Sequence, residues 1–275
     1  MMRLRILSIL ALLPFALALR AQQVDKPPDT PVQSNVPHDT SLNPALPTLF
    51  IVGDSTARNG ANLGWGDHFA QFFDTSRVNI ANRAVAGRSS RTYVNEGLWD
   101  KALAQMKSGD YLLLQMGHND GGDLDGAKPR GSLKGIGDES RDVPQTAGPF
   151  AGKTETVHTY GWYMRKMIDE AKAKGVHPVL LTTTIRNIWK DGQIERDMGY
   201  TGWIKQIAAQ EDLPLIDMAS VEADRLQALG PDATAKLFPI DHTHSTAENA
   251  DLIAKDVVTA LRNAHSPLVS YLKAP

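Results

Sequence analysis

Apolar and polar positions fall into regular blocks from about residue 48 onward. Short apolar runs at 49–52, 78–81, 111–116, 176–184 and 213–217 read as strands. Several are continuously apolar rather than alternating, the mark of a strand covered on both faces. Between them, apolar residues recur at helical spacing over 65–73, 92–106, 154–174, 200–211 and 221–229. The best-marked helix comes last, where Ala250, Ile253, Ala254, Val257, Val258 and Leu261 form one stripe. Ser245, with Glu248 three positions on, predicts a capping box at its start and leaves His244 just outside the helix N-terminus. Gly175, after Lys172 and Lys174, marks the end of the 154–174 helix. Strands alternating with helices imply an α/β architecture, a mostly parallel sheet with helices on both faces.

Three stretches break this rhythm. Residues 121–153 are rich in Gly, Asp and Pro and show no periodicity; a loop of that length in a compact domain is usually functional or disordered. At the start, Arg3 and Arg5 precede an apolar segment over 6–19 that is too short to span a bilayer and is followed by small residues. That pattern predicts a secretory signal over 1–21. Residues 22–47, rich in Pro, Asp, Thr and Ser, then read as a linker without fixed structure. One domain with a full core is expected over 48–265, with 266–275 as a tail.

Composition narrows the chemistry. There are no cysteines, which excludes disulfides, thiolate nucleophiles and zinc–thiolate sites. The formal net charge of −2 gives no electrostatic case for nucleic acid or for an anionic membrane. The expectation is a monomer, secreted or periplasmic, with no membrane attachment once the signal is removed.

Three short strings carry the candidate chemistry: Gly53-Asp54-Ser55-Thr56, Gly117-His118-Asn119-Asp120 and Asp241-His242-Thr243-His244. A serine hydroxyl needs a base held by a third group. Ser55 follows the run 49–52, which delivers it to the carboxyl edge of the sheet, where open α/β sheets place ligands. Asp241 and His244, three residues apart in a turn, suit a carboxylate that accepts the imidazole Nδ1–H and frees Nε2 to take the serine proton. His242 is the rival base, but in an extended segment it points the other way. Asn119 and Gly87 each follow a strand; with the Ser55 amide they suit an oxyanion hole. Position 57 is Ala, so the Gly-x-Ser-x-Gly elbow of the α/β-hydrolases is absent. Standing alone, Ser55 is as good a turn residue or helix cap, and Asp54 reads as structural. A metal-dependent site built from His118, Asp120, Asp241, His242 and His244 lacks a standard zinc spacing and leaves Ser55 and Asn119 without roles. No cofactor is expected.

Arg186, Asn187, Trp189 and Lys190 follow the run 176–184. Trp189 suits stacking on a flat substrate face and the basic side chains suit pairing with carboxylates, though burial of Trp189 in the core is an equal alternative. Arg88, Arg91, Arg130 and Lys134 admit the same reading with less support, and His118 joins Arg88, Asn187 and Trp189 as a candidate substrate contact. Trp65, Trp99, Trp162 and Trp203 lie in helical patterns and read as packing residues.

The ordered blocks Gly53-Asp54-Ser55, Asn82 with Gly87, Gly117-His118-Asn119-Asp120 and Asp241-x-x-His244 resemble the SGNH (GDSL-like) hydrolase superfamily. More narrowly, Gly64-Trp65-Gly66, Ala86-Gly87-Arg88-Ser89, Tyr160-Gly161-Trp162-Tyr163 and Asp241-His242-Thr243-His244 resemble the rhamnogalacturonan acetylesterase family of carbohydrate esterases, over about 48–261. The resemblance implies a flavodoxin-like three-layer fold on a five-stranded sheet and metal-independent deacetylation. It makes Ser55 the nucleophile, His244 the base, Asp241 its orienter, and Ser55, Gly87 and Asn119 the oxyanion hole. The substrate it implies is an acetylated plant cell-wall polysaccharide, rhamnogalacturonan first, with acetylxylan or another small acetyl ester as the alternative. A carbohydrate-binding protein on a decayed esterase scaffold is the alternative of another class.

Overall fold

The computed structural model describes Thr40 and residues 42–60, 62–148 and 150–274. The expected signal segment and most of the expected linker lie outside the described residues. The strands in chain order are β1 (Thr48–Val52), β2 (Asn79–Asn82), β3 (Tyr111–Leu114), β4 (Ser140–Pro144), β5 (Thr154–His158), β6 (His177–Leu181), β7 (Trp189–Lys190), β8 (Gln193–Ile194) and β9 (Leu215–Ile216). The α-helices are α1 (Ser90–Asn95), α2 (Leu98–Gln105), α3 (Tyr160–Ala173), α4 (Tyr200–Gln210), α5 (Met218–Leu229), α6 (Pro231–Leu237) and α7 (Ala247–Asn263). Short 3₁₀ helices occupy Trp65–Phe72 and Pro267–Tyr271.

Five strands form one parallel sheet in the order β2-β1-β3-β6-β9. This is the flavodoxin-like order, with the topological switch between β1 and β3. Because side chains alternate across a strand, each apolar run feeds two cores. Leu49, Ile51, Leu113, Val179 and Leu181 pack beneath α7 and the first 3₁₀ helix, against Trp65, Phe69, Ile253 and Val257. Phe50, Val52, Leu112, Leu114 and Leu180 face the other way, against Tyr93, Trp99, Tyr160, Met164 and Ile204 of α1 to α4. The unbroken apolar character of the strands is therefore the signature of a sheet sandwiched on both sides. Trp65 and Trp99 are fully buried, as packing residues should be.

Several boundaries differ from the sequence reading. The expected helix over 154–174 splits. Residues 154–158 pair antiparallel with β4, burying Glu155 and Val157 while Thr154 and Thr156 stay exposed, a period of two within what reads as one helix. Thr159 then caps α3, its side chain accepting from the Trp162 amide. The irregular stretch 121–153 contains β4 and half of this hairpin. The expected helix over 92–106 becomes α1 and α2 because Gly97, between them, adopts φ 72°, a left-handed conformation that ends the first helix. The last helix is capped by Thr246, whose side chain accepts from the Asn249 amide, not by a Ser245–Glu248 box; the helix begins one residue later, which puts Glu248 out of register.

Both ends of the domain extend past the expected limits. The Thr40 amide donates to Ile80 O at 3.1 Å and the Asn43 amide to Asn79 Oδ1 at 2.9 Å, so the described end of the linker covers the β2 edge. At the other end Leu268 is buried in the α7-side core and Leu272 bridges Phe73, so the expected tail is part of the fold.

Candidate active site

The loops at the carboxyl ends of β1, β2, β3 and β6 converge with the segment before α7. Ser55 lies three residues past β1 and is only 3 % exposed. The Asp54 carboxylate accepts from both the Thr56 amide and the Thr56 hydroxyl, each at 2.9 Å, and fixes the turn that presents Ser55. Asp54 is thus the structural residue expected.

Ser55 Oγ lies 2.9 Å from His244 Nε2, and His244 Nδ1 lies 2.7 Å from Asp241 Oδ2. A carboxylate can only accept, so Nδ1 carries the proton and Nε2 is the acceptor facing the serine. The other carboxylate oxygen, Asp241 Oδ1, accepts the Thr243 and His244 amides at 2.7 Å each. Partial burial pushes the Asp241 carboxyl upward, but the bonds from the His244 side chain and the two amides outweigh it and hold the group below the usual carboxylate range. His242 is exposed, and its carbonyl receives the Asn187 amide at 2.7 Å. The imidazole bonded to Ser55 is that of His244, not of the rival His242.

Gly87 adopts φ 77° in the turn after β2, which a side chain would strain. Neither its amide nor that of Ser55 has an acceptor among the described residues. Asn119 Nδ2 donates to Arg88 O at 2.9 Å, which orients the side-chain amide and leaves its second N–H for a ligand. The three donors expected on sequence grounds thus lie on the loops that converge on Ser55.

Asp120, next along, is 1 % exposed and accepts from Ser90 at the start of α1 and from Ser132. Burial raises its carboxyl to about 6 against those bonds. His118 is bonded to Thr184 Oγ1 at 2.7 Å, and burial lowers its imidazole to about 4, so it is neutral near pH 7. Asp120 and His244 both spend their lone pairs or protons on protein partners. No three His or carboxylate side chains converge in a metal-binding arrangement among the described residues.

The expected substrate contacts fare unevenly. Arg88 pairs with Glu96 at 2.9 Å and with Ala86 O at 3.1 Å, so its guanidinium is already engaged. Arg91 is 1 % exposed, forms an ion pair with Glu155 and donates to Gly131 O at 2.8 Å; it pins the β4–β5 hairpin to α1. Trp189 packs on the Ile185–Leu226 cluster and donates to Asn187 Oδ1 at 2.8 Å. The Asn187 amide in turn holds the Asp241–His244 turn through His242 O, so both residues position the candidate site. Lys190 is exposed on the β7–β8 hairpin. His118, Arg130, Lys134 and Arg186 do line a cavity beside Asn119, joined by Arg196, Tyr200 and Trp203, of which Trp203 was expected only to pack. Tyr200 and Arg196 carry no motif; their only signal is their place between a sheet-edge loop and the start of a helix.

The GDSL-like lipase/acylhydrolase family model matches residues 51–250. A rhamnogalacturonan acetylesterase of Emericella nidulans is 31% identical over 215 residues, 78% of this chain and 84% of that protein. The rhamnogalacturonan acetylesterase RhgT of Bacillus subtilis is 29% identical over 82% of this chain and 93% of its own length. Among solved structures, the YxiM protein of B. subtilis superposes with a TM-score of 0.64 at 24% identity, over 81% of this chain and 58% of that longer one. An acetylxylan esterase of Geobacillus stearothermophilus shares the fold, with a TM-score of 0.51 at 16% identity over 84% of this chain and 96% of its own. With the matched region spanning all three strings and the convergent site, the chain belongs to the GDSL-like lipase/acylhydrolase family and is a carboxylic ester hydrolase.

Proposed function

We propose that this protein is an exported serine acetylesterase that removes O-acetyl groups from a plant cell-wall polysaccharide, acetylated rhamnogalacturonan above all. The observation that carries the mechanism is the hydrogen-bonded series Ser55–His244–Asp241. The substrate rests on relatives named for rhamnogalacturonan acetylesterase activity, and export on the charged and apolar pattern of residues 1–21.

Ser55 Oγ attacks the acetyl carbonyl carbon while His244 Nε2 takes its proton. Asp241 keeps the imidazole in the accepting tautomer and stabilises the imidazolium. The carbonyl oxygen becomes an oxyanion held by the Ser55 and Gly87 amides and by Asn119 Nδ2, donors already in place before charge develops. Collapse of this intermediate breaks the ester C–O bond, and the sugar oxygen leaves with the proton from His244. Water, deprotonated by the same imidazole, then attacks the acetyl-Ser55 carbonyl, and acetate is released as the serine proton is restored.

The test is acetate release from acetylated rhamnogalacturonan and acetylxylan, measured for the wild type and for Ser55→Ala. Faster release from rhamnogalacturonan, abolished by the substitution, is expected. Release that survives the loss of the hydroxyl overturns the acyl-enzyme, and a preference for xylan overturns the substrate.

A further inference from the structure

A cavity of about 570 Å³ opens next to Asn119, between the loops after β3 and β6 and the start of α4. Its charge is one-sided: Arg130, Lys134, Arg186 and Arg196 line it against Glu195 alone. Arg196 is bound to Asp224 at 2.7 Å. Arg130, Lys134 and Arg186 have no carboxylate partner among the described residues. Two of these cations are tethered to the loops of the reacting centre. Arg186 Nη2 donates to His118 O at 2.9 Å, and Arg130 Nη1 reaches Gly87 O at 3.5 Å.

Two buried donors in the same cavity are unsatisfied, the Nε–H of Arg186 and the hydroxyl of Tyr200. A buried donor without an acceptor is uncommon in a finished fold, and burial also disfavours the Arg186 charge. An occupant that is anionic and purely an acceptor relieves both costs. A carboxylate meets that description, with two oxygens suited to a guanidinium fork. Neutral His118 on the same wall adds no competing charge.

We propose that this cavity is a carboxylate subsite, which binds the ionised carboxyl of a uronate residue while a neighbouring acetylated hydroxyl is presented to Ser55. The inference rests on the esterase reading above and deepens it: it makes an acidic sugar, adjacent to the ester, the feature the enzyme selects. Arg186 and Arg130 supply the directed contacts, and Lys134, exposed at the rim, supplies attraction that salt screens.

The experiment compares an acetylated oligosaccharide of alternating galacturonate and rhamnose with the same oligosaccharide after reduction of its carboxyls. The full-length wild type is expected to favour the acidic form in kcat/KM by about tenfold to a hundredfold, mainly through KM. That preference should shrink in 0.5 M salt, on the order of the screening length, and in Arg186→Gln and Lys134→Gln. Lys134→Gln, at an exposed position, keeps the test independent of misfolding. Equal rates on the two substrates overturn the subsite while the esterase reading stands. If neither substrate is hydrolysed, the esterase reading falls, and calorimetric titration with the unacetylated acidic and reduced oligosaccharides decides the subsite alone: equal affinities overturn it, and tighter binding of the acidic form upholds it.

Discussion

Replacing Asp241 by Asn isolates what its charge and its two oxygens do. One oxygen accepts two backbone amides and the other accepts His244 Nδ1–H, but an asparagine offers only one acceptor. If its oxygen stays on the amides, its NH₂ faces His244 and donates to Nδ1, so the imidazole proton moves to Nε2, where Ser55 needs an acceptor. If it flips, the tautomer survives, but an NH₂ opposes two N–H donors. That forfeits two neutral hydrogen bonds of about 0.5–1.5 kcal/mol each and leaves both backbone donors facing another donor. The turn therefore wins, and the imidazole is held in the wrong tautomer. The corresponding change in a serine protease lowers kcat by about 10⁴, roughly 5 kcal/mol at about 1.36 kcal/mol per decade. A loss of about 10³–10⁴ in kcat/KM on 4-nitrophenyl acetate is expected for Asp241→Asn. Its melting temperature should stay within a few degrees of wild type, because the turn keeps its acceptor. A loss of less than tenfold, with the protein folded, would refute the reasoning: either the carboxylate does not set the tautomer or another group serves as base.

Gly87→Ala forces a methyl-bearing residue to hold φ 77°, costing about 1–2 kcal/mol of stability. It should also lower kcat by about tenfold or more as the turn relaxes and its amide swings off the oxyanion; the melting shift without a kinetic one would remove Gly87 from the oxyanion hole. Glu222 is fully buried, and burial raises its carboxyl to about 8 even though it accepts the Ile185 amide at 2.8 Å. The folded state then holds a proton that the unfolded state releases above its ordinary 4.5, so stability falls as pH rises from there to about 8. Asp120, raised to about 6, acts in the same direction at lower pH, and His118, lowered to about 4 from 6.5, acts in the opposite one. Above about 6.5 both effects fade, and Glu222 leads the decline in this part of the profile, with Asp256, whose carboxyl burial also raises, acting in the same sense. Denaturant unfolding of Glu222→Gln between pH 6.5 and 8 should show most of the decline removed, and an unchanged slope would show that Glu222 ionises freely in the folded protein.

The parts of the site that were legible in the sequence share a physical reason. Ser55, Asn119 and the Asp241–His244 pair each sit in a short string, and two of those strings directly follow an apolar strand, so residue type and chain position coincide. The sheet was legible for a similar cause, since strands buried on both faces leave unbroken apolar runs. The β4–β5 hairpin was hidden because Thr154 to His158 run without a break into a true helix, and their antiparallel partner lies in a segment devoid of periodicity. The subsite cations were only partly legible. Arg130 and Lys134 come from one stretch of chain and Arg186 from another, and only the tertiary fold gathers them. The pairing of Arg88 with Glu96 was not legible, because Glu96 is reached only through the geometry of α1. For Trp189 the sequence left stacking and core packing equally open, because the cluster it packs against includes residues of α5 and α6, distant in sequence.

The bond between Ser55 and His244 closes a loop of 189 positions, most of the described domain. Its two ends are brought together by the α7-side core, where Trp65 and Phe69 meet Ile253 and Val257. No fragment short of that closure holds both Ser55 and His244, the proposed nucleophile and base. Loop closure of this length is entropically costly until the intervening layers are packed. Hydrolysis is therefore a late property of the chain, absent from a nascent or partly unfolded molecule. An ester substrate added during refolding would report the final docking of α7, and its lag behind the return of helical signal would time that step.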